Sequence, residues 1–300
     1  MSSSLINELR NRFGSDNFHF YAGPGDLPAV RIVNSFGEAA VTLHGAHVID
    51  YQPAGGIPVL WMSQQSMFKA GEPIRGGIPV CWPWFGPDPN GKFGGHGFVR
   101  LAQWQVSGVS HSPAGKSTVT LELTDQAIDS KFAPDAFRLE LSVTLGSNLT
   151  VALKIYNTGN KELHYSGALH SYFNVADAEA IRVEGLEECE YSDKVLNEDG
   201  CQAGAVIIDR EIDRVYRRTS GIVRIVDPVF NRVIKVAKSG STSTVVWNPW
   251  VEKSKRMPDF GDEEYHTMVC VEAANAPAAD DDRILPPGAM AELRQMISVE

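Results

Sequence analysis

Cysteine is scarce in this chain, four residues in 300, and none stands in a Cys-x-x-Cys pair. That excludes the spacing of a zinc ribbon or a thioredoxin-type redox motif. Cys81 and Cys270 sit in apolar stretches, where a free thiol serves as a small hydrophobe. No run of apolar residues reaches the length that spans a bilayer, about 18 or more. The stretch Met1–Arg12 has no apolar core of signal-peptide length. Positive charge is also in deficit: 27 Lys and Arg against 37 Asp and Glu leave a net charge of −10. This argues against nucleic acid or an anionic membrane surface as a partner. It leaves room for a small anion held by a few convergent cations. The expectation is a cytoplasmic protein with reduced thiols.

Several catalytic signatures are missing as well. Arg75-Gly76-Gly77-Ile78-Pro79 and Gly94-Gly95-His96-Gly97 are glycine-rich, yet neither holds Gly-x-Gly-x-x-Gly or Gly-Lys-Ser/Thr, and neither precedes a helical pattern. A nucleotide loop is therefore not indicated. There is no Gly-x-Ser-x-Gly nucleophile motif. His44, His47, His164, His170 and His266 could meet around a metal, but no His-x-x-x-His lies on a helical pattern. The sequence gives no reason to expect a metal or a cofactor.

What is present is alternation at period two. Phe137–Leu145 places Phe137, Leu139, Leu141, Val143 and Leu145 on one face, Leu149–Ile155 continues the pattern, and Gly146-Ser147-Asn148 turns between them, predicting a hairpin. A second hairpin is predicted over Ile222–Val226 and Arg232–Ala237. Further strands are expected at Val30–Asn34, Ala39–Leu43, Val119–Thr124, Thr244–Trp247, Thr267–Glu272 and Ala291–Val299. Helical signals are confined to Ser4–Phe13 and a short piece within Asp125–Ala136. With 27 glycines and 17 prolines spread along the chain, the expectation is an all-β fold, a large antiparallel β-sandwich forming one domain over residues 1–300.

Three segments carry candidate chemistry. Arg75, His96 and Arg100 flank the Pro- and Trp-rich run Pro79-Val-Cys-Trp-Pro-Trp-Phe-Gly-Pro87, which cannot be a regular helix and whose prolines disfavour a central strand. Aromatic faces suit the C–H surface of a sugar ring, and arginine forks suit a phosphate or carboxylate; the alternative is that the tryptophans cap the core and the arginines are solvated. His170 stands in an apolar, aromatic setting, Leu169-His-Ser-Tyr-Phe-Asn174, where most histidines are structural. Glu272 ends the apolar run Met268–Val271: either it faces solvent as the strand ends or it is buried, and a glutamate buried without a partner or a task is rare. Burial would raise its pKa toward general-base work.

Together these segments resemble the aldose 1-epimerase (galactose mutarotase-like) superfamily, and within it the glucose-6-phosphate 1-epimerase branch. The resemblance rests on Leu43-His-Gly-Ala-His47, Arg75–Gly86, His96-Gly-Phe-Val-Arg100, Leu169–Asn174, Asp213-Arg-Val-Tyr216, Trp247-Asn-Pro-Trp250 and Val271-Glu272, in order over residues 40–275. It implies a cleft on one sheet face, His170 as catalytic acid and Glu272 as catalytic base. It further implies substrate contacts from Arg75, His96, Asp213 and Trp247. Arg75 and Arg100 are the expected phosphate ligands, with Lys253 a weaker candidate. A shared pocket is expected to raise the pKa of His170 so that it is protonated while Glu272 is ionised. The implied activity is anomer interconversion of a hexose 6-phosphate by a cofactor-free monomer. A non-catalytic sugar-binding module would keep the arginines and tryptophans without needing the pair, and glycoside cleavage would need a second carboxylate such as Asp213.

Overall fold

The alternating segments form strands whose inward residues are buried. In the computed structural model, which describes residues 2–129, 132 and 135–300, Phe137–Leu145 buries every second residue and pairs with Leu149–Asn157 across the turn at 146–148. The predicted second hairpin is Val223–Asp227 with Arg232–Ser239. These strands belong to an eight-stranded sheet ordered Arg182–Glu184, Val223–Asp227, Arg232–Ser239, Met290–Val299, Leu149–Asn157, Phe137–Leu145, Ser117–Thr124 and Gln105–His111. We call it the back sheet.

A second eight-stranded sheet, the cleft sheet, runs Glu198–Cys201, Glu190–Asp193, Ile212–Tyr216, Ser243–Asn248, Met268–Asn275, Gly167–Leu169 and Val80–Cys81, with Tyr172–Asn174 also paired to Met268–Asn275. All ladders in both sheets are antiparallel. The two sheets stack through one apolar core that takes Val269, Val271 and Ala273 from the cleft sheet and Leu153, Leu293 and Ile297 from the back sheet. A four-stranded meander over residues 18–53 extends that core with Phe20, Ile32 and Val41. This is the expected all-β, antiparallel architecture.

The helix expected at 4–13 spans Ser2–Phe13 and lays Ile6 and Leu9 on the core. Over 125–136 the 3-10 turn Asp125–Ala127 is formed, and residues 130, 131, 133 and 134 lie outside the described residues. The Pro-rich run does yield a strand, two residues long, at the end of the cleft sheet; there a neighbouring proline leaves no ladder bond unmade. Among the described residues no helix is long and apolar enough to cross a membrane.

Candidate active site

The strand Met268–Asn275 is buried along its whole length, so it packs on both faces. Its odd residues, Val269, Val271 and Ala273, enter the core between the sheets, whereas Cys270 faces the other way into a second cluster with Tyr172, Val245 and Trp247. Glu272 shares the parity of Cys270 and therefore faces outward, onto the cleft. Across the ladder Val245 pairs with Glu272 and Trp247 with Cys270, and Asp213 pairs with Trp247 one strand further on. Register alone thus gathers Glu272, Val245, Trp247 and Asp213 on one surface.

His170 arrives from the other side. Leu169 pairs with Ala273 and Tyr172 with Cys270 in one register, which places His170 opposite Glu272 where regular pairing lapses. The His170 backbone N–H donates to Pro79 O at 3.1 Å, and its ring stacks on Tyr172 with centroids 4.8 Å apart and planes 7° from parallel. The Tyr172 hydroxyl accepts from Arg75 Nη1 at 2.8 Å, while Arg75 Nε and Nη2 each donate to Asp259 at 3.2 Å. Asp259, Arg75 and Tyr172 thereby fix the plane on which the imidazole rests. His44 and His47, considered above as metal ligands, hold the segment carrying Arg75: their Nε2 atoms meet the carbonyls of Glu72 at 2.8 Å and Gly76 at 2.7 Å.

His170 Nδ1 lies 3.5 Å from Glu272 Oε1. His170 Nδ1 and Glu272 Oε2 are both buried without a hydrogen-bond partner. Native structures satisfy nearly all such atoms, so two orphans side by side single out this pair as the candidate site. Burial, then the neighbouring Asp213, pushes the Glu272 carboxyl well above its ordinary 4.5, against the pull of Lys194. Burial, then His96, Arg75 and Arg100, pushes His170 well below 6.5. This corrects the expectation that the shared pocket raises the histidine: desolvation and two arginines act in the same direction. His96 is held neutral, at about 3, by burial and by Arg100, Lys194 and Arg75.

The pair opens into a cleft of about 370 Å³ lined by Arg75, Phe85, His96, His170, Lys194, Asp213, Trp247, Lys253, Met257 and Glu272 among others. Of the residues singled out from sequence, Arg75, His96, Asp213, Trp247, Lys253, His170 and Glu272 meet here. Arg100 does not line the cleft; its Nη2 donates to Gly95 O at 2.6 Å, so it sits behind His96 and braces the loop. A clamp of Arg75 with Arg100 is therefore not formed. The tryptophans of the Pro-rich run are not sugar platforms either: Trp82 and Trp84 enter the core, and Phe85 supplies the aromatic wall. Lys194, Tyr172 and Asp259 escaped the sequence reading, because nothing in their local patterns separates them from ordinary turn and strand residues.

One atom each from His170, Cys270 and Glu272 lies within 4.8 Å of the others, a donor set a metal could use. Burial and the adjacent Glu272 hold the Cys270 thiol well above its ordinary 9.0.

The aldose 1-epimerase family model matches residues 28–298. The chain belongs to that family. Two relatives named "Putative glucose-6-phosphate 1-epimerase" come from Escherichia coli K12, 37% identical with 80% of this chain and 80% of that one aligned, and from Cenchrus ciliaris, 36% identical over 83% and 78%. A crystal structure named as a "putative mutarotase" from Salmonella typhimurium superposes with a TM-score of 0.88 at 31% identity, covering 95% of this chain and 94% of that one. In this aldose 1-epimerase family member, as in the resemblance drawn from its motifs, the fold is the galactose mutarotase-like sandwich.

Proposed function

We propose that the protein interconverts the α and β anomers of a hexose 6-phosphate, glucose 6-phosphate first, with His170 and Glu272 as the acid–base pair. The supporting observation is the buried, unpartnered His170–Glu272 pair opening on a cleft walled by Phe85, Trp247 and Met257. In the ion-pair state Glu272 takes the proton of the C1 hydroxyl while His170 gives one to the ring oxygen, and the hemiacetal opens to the aldehyde. Both groups are then neutral. The aldehyde turns about C1–C2, Glu272 returns its proton to the carbonyl oxygen as the ring oxygen adds to the other face, and His170 recovers the ring-oxygen proton. The neutral state that desolvation favours is thus the one that accompanies the open-chain sugar. No electron changes hands and no group departs, so the two side chains suffice.

Arg75, His96, Asp213 and Trp247 are assigned to the sugar. Neutral His96 suits a hydroxyl, and two N–H groups of Arg75 remain after Asp259 and Tyr172 are served. The cleft's cations rank by their partners. Lys253 lies 3.0 Å from Glu211, and Arg75 is bound to Asp259. Among the described residues Lys194 has no carboxylate within ion-pair distance, and it rests over the Phe85 ring at 5.4 Å. The phosphate is therefore assigned to Lys194, with Arg75 beside it, in place of the Arg75–Arg100 clamp. The four free thiols suit the reducing cytoplasm.

The test is magnetisation exchange between the anomers of glucose 6-phosphate in NMR. Exchange well above buffer with the wild type and at buffer level with Glu272→Gln is expected; wild-type exchange no faster than buffer overturns the reading. Binding of the sugar phosphate that survives substitution at both residues, without turnover, would instead favour a binding module.

A further inference from the structure

Behind the acid–base pair the core is not wholly apolar. Gln295 lies on the back-sheet strand Met290–Val299, between the inward residues Leu293 and Ile297, and is fully buried. Its side chain crosses the sandwich to the lapse in the cleft-sheet ladder. Nε2 donates to Val271 O at 3.1 Å, and Oε1 accepts from the Ser171 hydroxyl. The Val271 N–H in turn donates to Ser171 O at 3.2 Å. A carbonyl can only accept, so the amide orientation follows from its partners. Ser171 is the residue after His170, and Val271 is the residue before Glu272. Ser171 and Val271 point into the core because His170 and Glu272 point into the cleft.

We propose that Gln295 is a positioning residue: one buried amide grips the chain beside His170 and beside Glu272 and sets the distance between them. The inference rests on the acid–base assignment above. A glutamine in a packed core is costly unless fully bonded, and leucine or methionine would fill the same volume without that demand. Packing alone does not explain it. At Ser171 the ladder keeps one of its two bonds, Val271 N–H to Ser171 O, while the Ser171 N–H turns to Leu169 O, so the strand pair only half holds its own spacing. Gln295 supplies that restraint from the opposite sheet, using its donor and acceptor halves on the two strands. It touches no atom of the cleft, so its effect on the reaction passes through the two backbones.

The test pairs Gln295→Met with Ser171→Ala, using Ile297→Val as a core control on the same strand. Both test variants are expected to lower kcat about tenfold or more, as small misplacements of catalytic groups do, with KM for the sugar phosphate within about twofold, since the binding residues of the cleft are not displaced. Combining the two changes should cost little more than either alone, because they break one linkage. Ile297→Val should lower Tm and leave kcat unchanged. An independent readout is the NMR titration of the His170 imidazole, which in Gln295→Met should move upward toward 6.5 as the pair loosens and water enters. That readout stands whether or not the substrate is correctly assigned. If wild-type exchange is absent while the titration moves, the functional reading fails and the positioning role stands. Wild-type kcat in both test variants, or an unmoved His170 titration in whichever variant folds, overturns the proposal.

Discussion

His170 and Glu272 face one another across an antiparallel register in which Leu169 meets Ala273 and Tyr172 meets Cys270, with Nδ1 and Oε1 3.5 Å apart. Cross-strand neighbours are the nearest side-chain contacts a sheet offers, so the ladder itself delivers two titratable groups to one proton's reach. Both groups are displaced toward neutrality, the carboxyl by burial and Asp213, the imidazole by burial and its cationic neighbours.

Replacing Glu272 with glutamine should cost activity and improve stability. Loss of a general base lowers kcat/KM by about 100- to 10,000-fold. The folded carboxyl keeps its proton above the 4.5 of an unfolded chain, so the native state loses stability as pH rises from 4.5 through the raised value. Glutamine has no proton to lose. The variant's advantage in Tm should be absent in acid and widen as pH rises, which thermal melts at a series of pH values would measure.

The pH profile of kcat/KM should be bell-shaped, because one proton shared by the pair is the competent state. A second proton must enter on the pair, and the lowered His170 places that acidic limb well below 6.5. Loss of the shared proton governs the alkaline limb, well above 4.5. An acidic limb at or above 6.5 would contradict the arrangement.

Lys194→Met should separate phosphate binding from chemistry. A charge-assisted contact contributes about 1.5–3 kcal/mol, so kcat/KM for the sugar phosphate should fall roughly 10- to 150-fold. Any exchange of the unphosphorylated hexose should be unchanged. Arg100→Gln, by contrast, should weaken both sugars alike through the Gly95–His96 loop it braces.

Gly97→Ala should be strongly destabilising. Gly97 has φ +70°, and a Cβ there would stand 1.9 Å from the Trp82 carbonyl oxygen. Backbone cannot yield as a side-chain tip can, and a cost of about 3 kcal/mol is expected. Chemical denaturation would read it as a drop in midpoint with the m-value kept.

Much of the architecture is written locally. Phe137–Leu145 is buried on one face and half-exposed on the other, and that contrast is what a period-two pattern records. Short elements such as Val80–Cys81 carry no such contrast, and a helix as brief as Trp250–Ser254 was not foreseen at all. For the site, ordered motifs located His170, Glu272, Arg75, His96, Asp213 and Trp247, which line one cleft. They could not say that the Arg100 guanidinium turns back to Gly95 O, nor that Lys194 comes in from a distant hairpin with, among the described residues, no carboxylate within ion-pair distance.

By itself, then, the sequence determined the longer alternating strands, the class of fold and the residue types of an acid–base site. Only the tertiary structure decided which way those residues face and what charge they carry. Met268–Asn275 is buried on both sides, so no amphipathic contrast told Glu272 in the cleft from Val271 in the core. The sign of the His170 shift likewise came first from burial between packed strands and then from His96, Arg75 and Arg100 converging from separate segments, and electrostatics follows distance in space, not spacing along the chain.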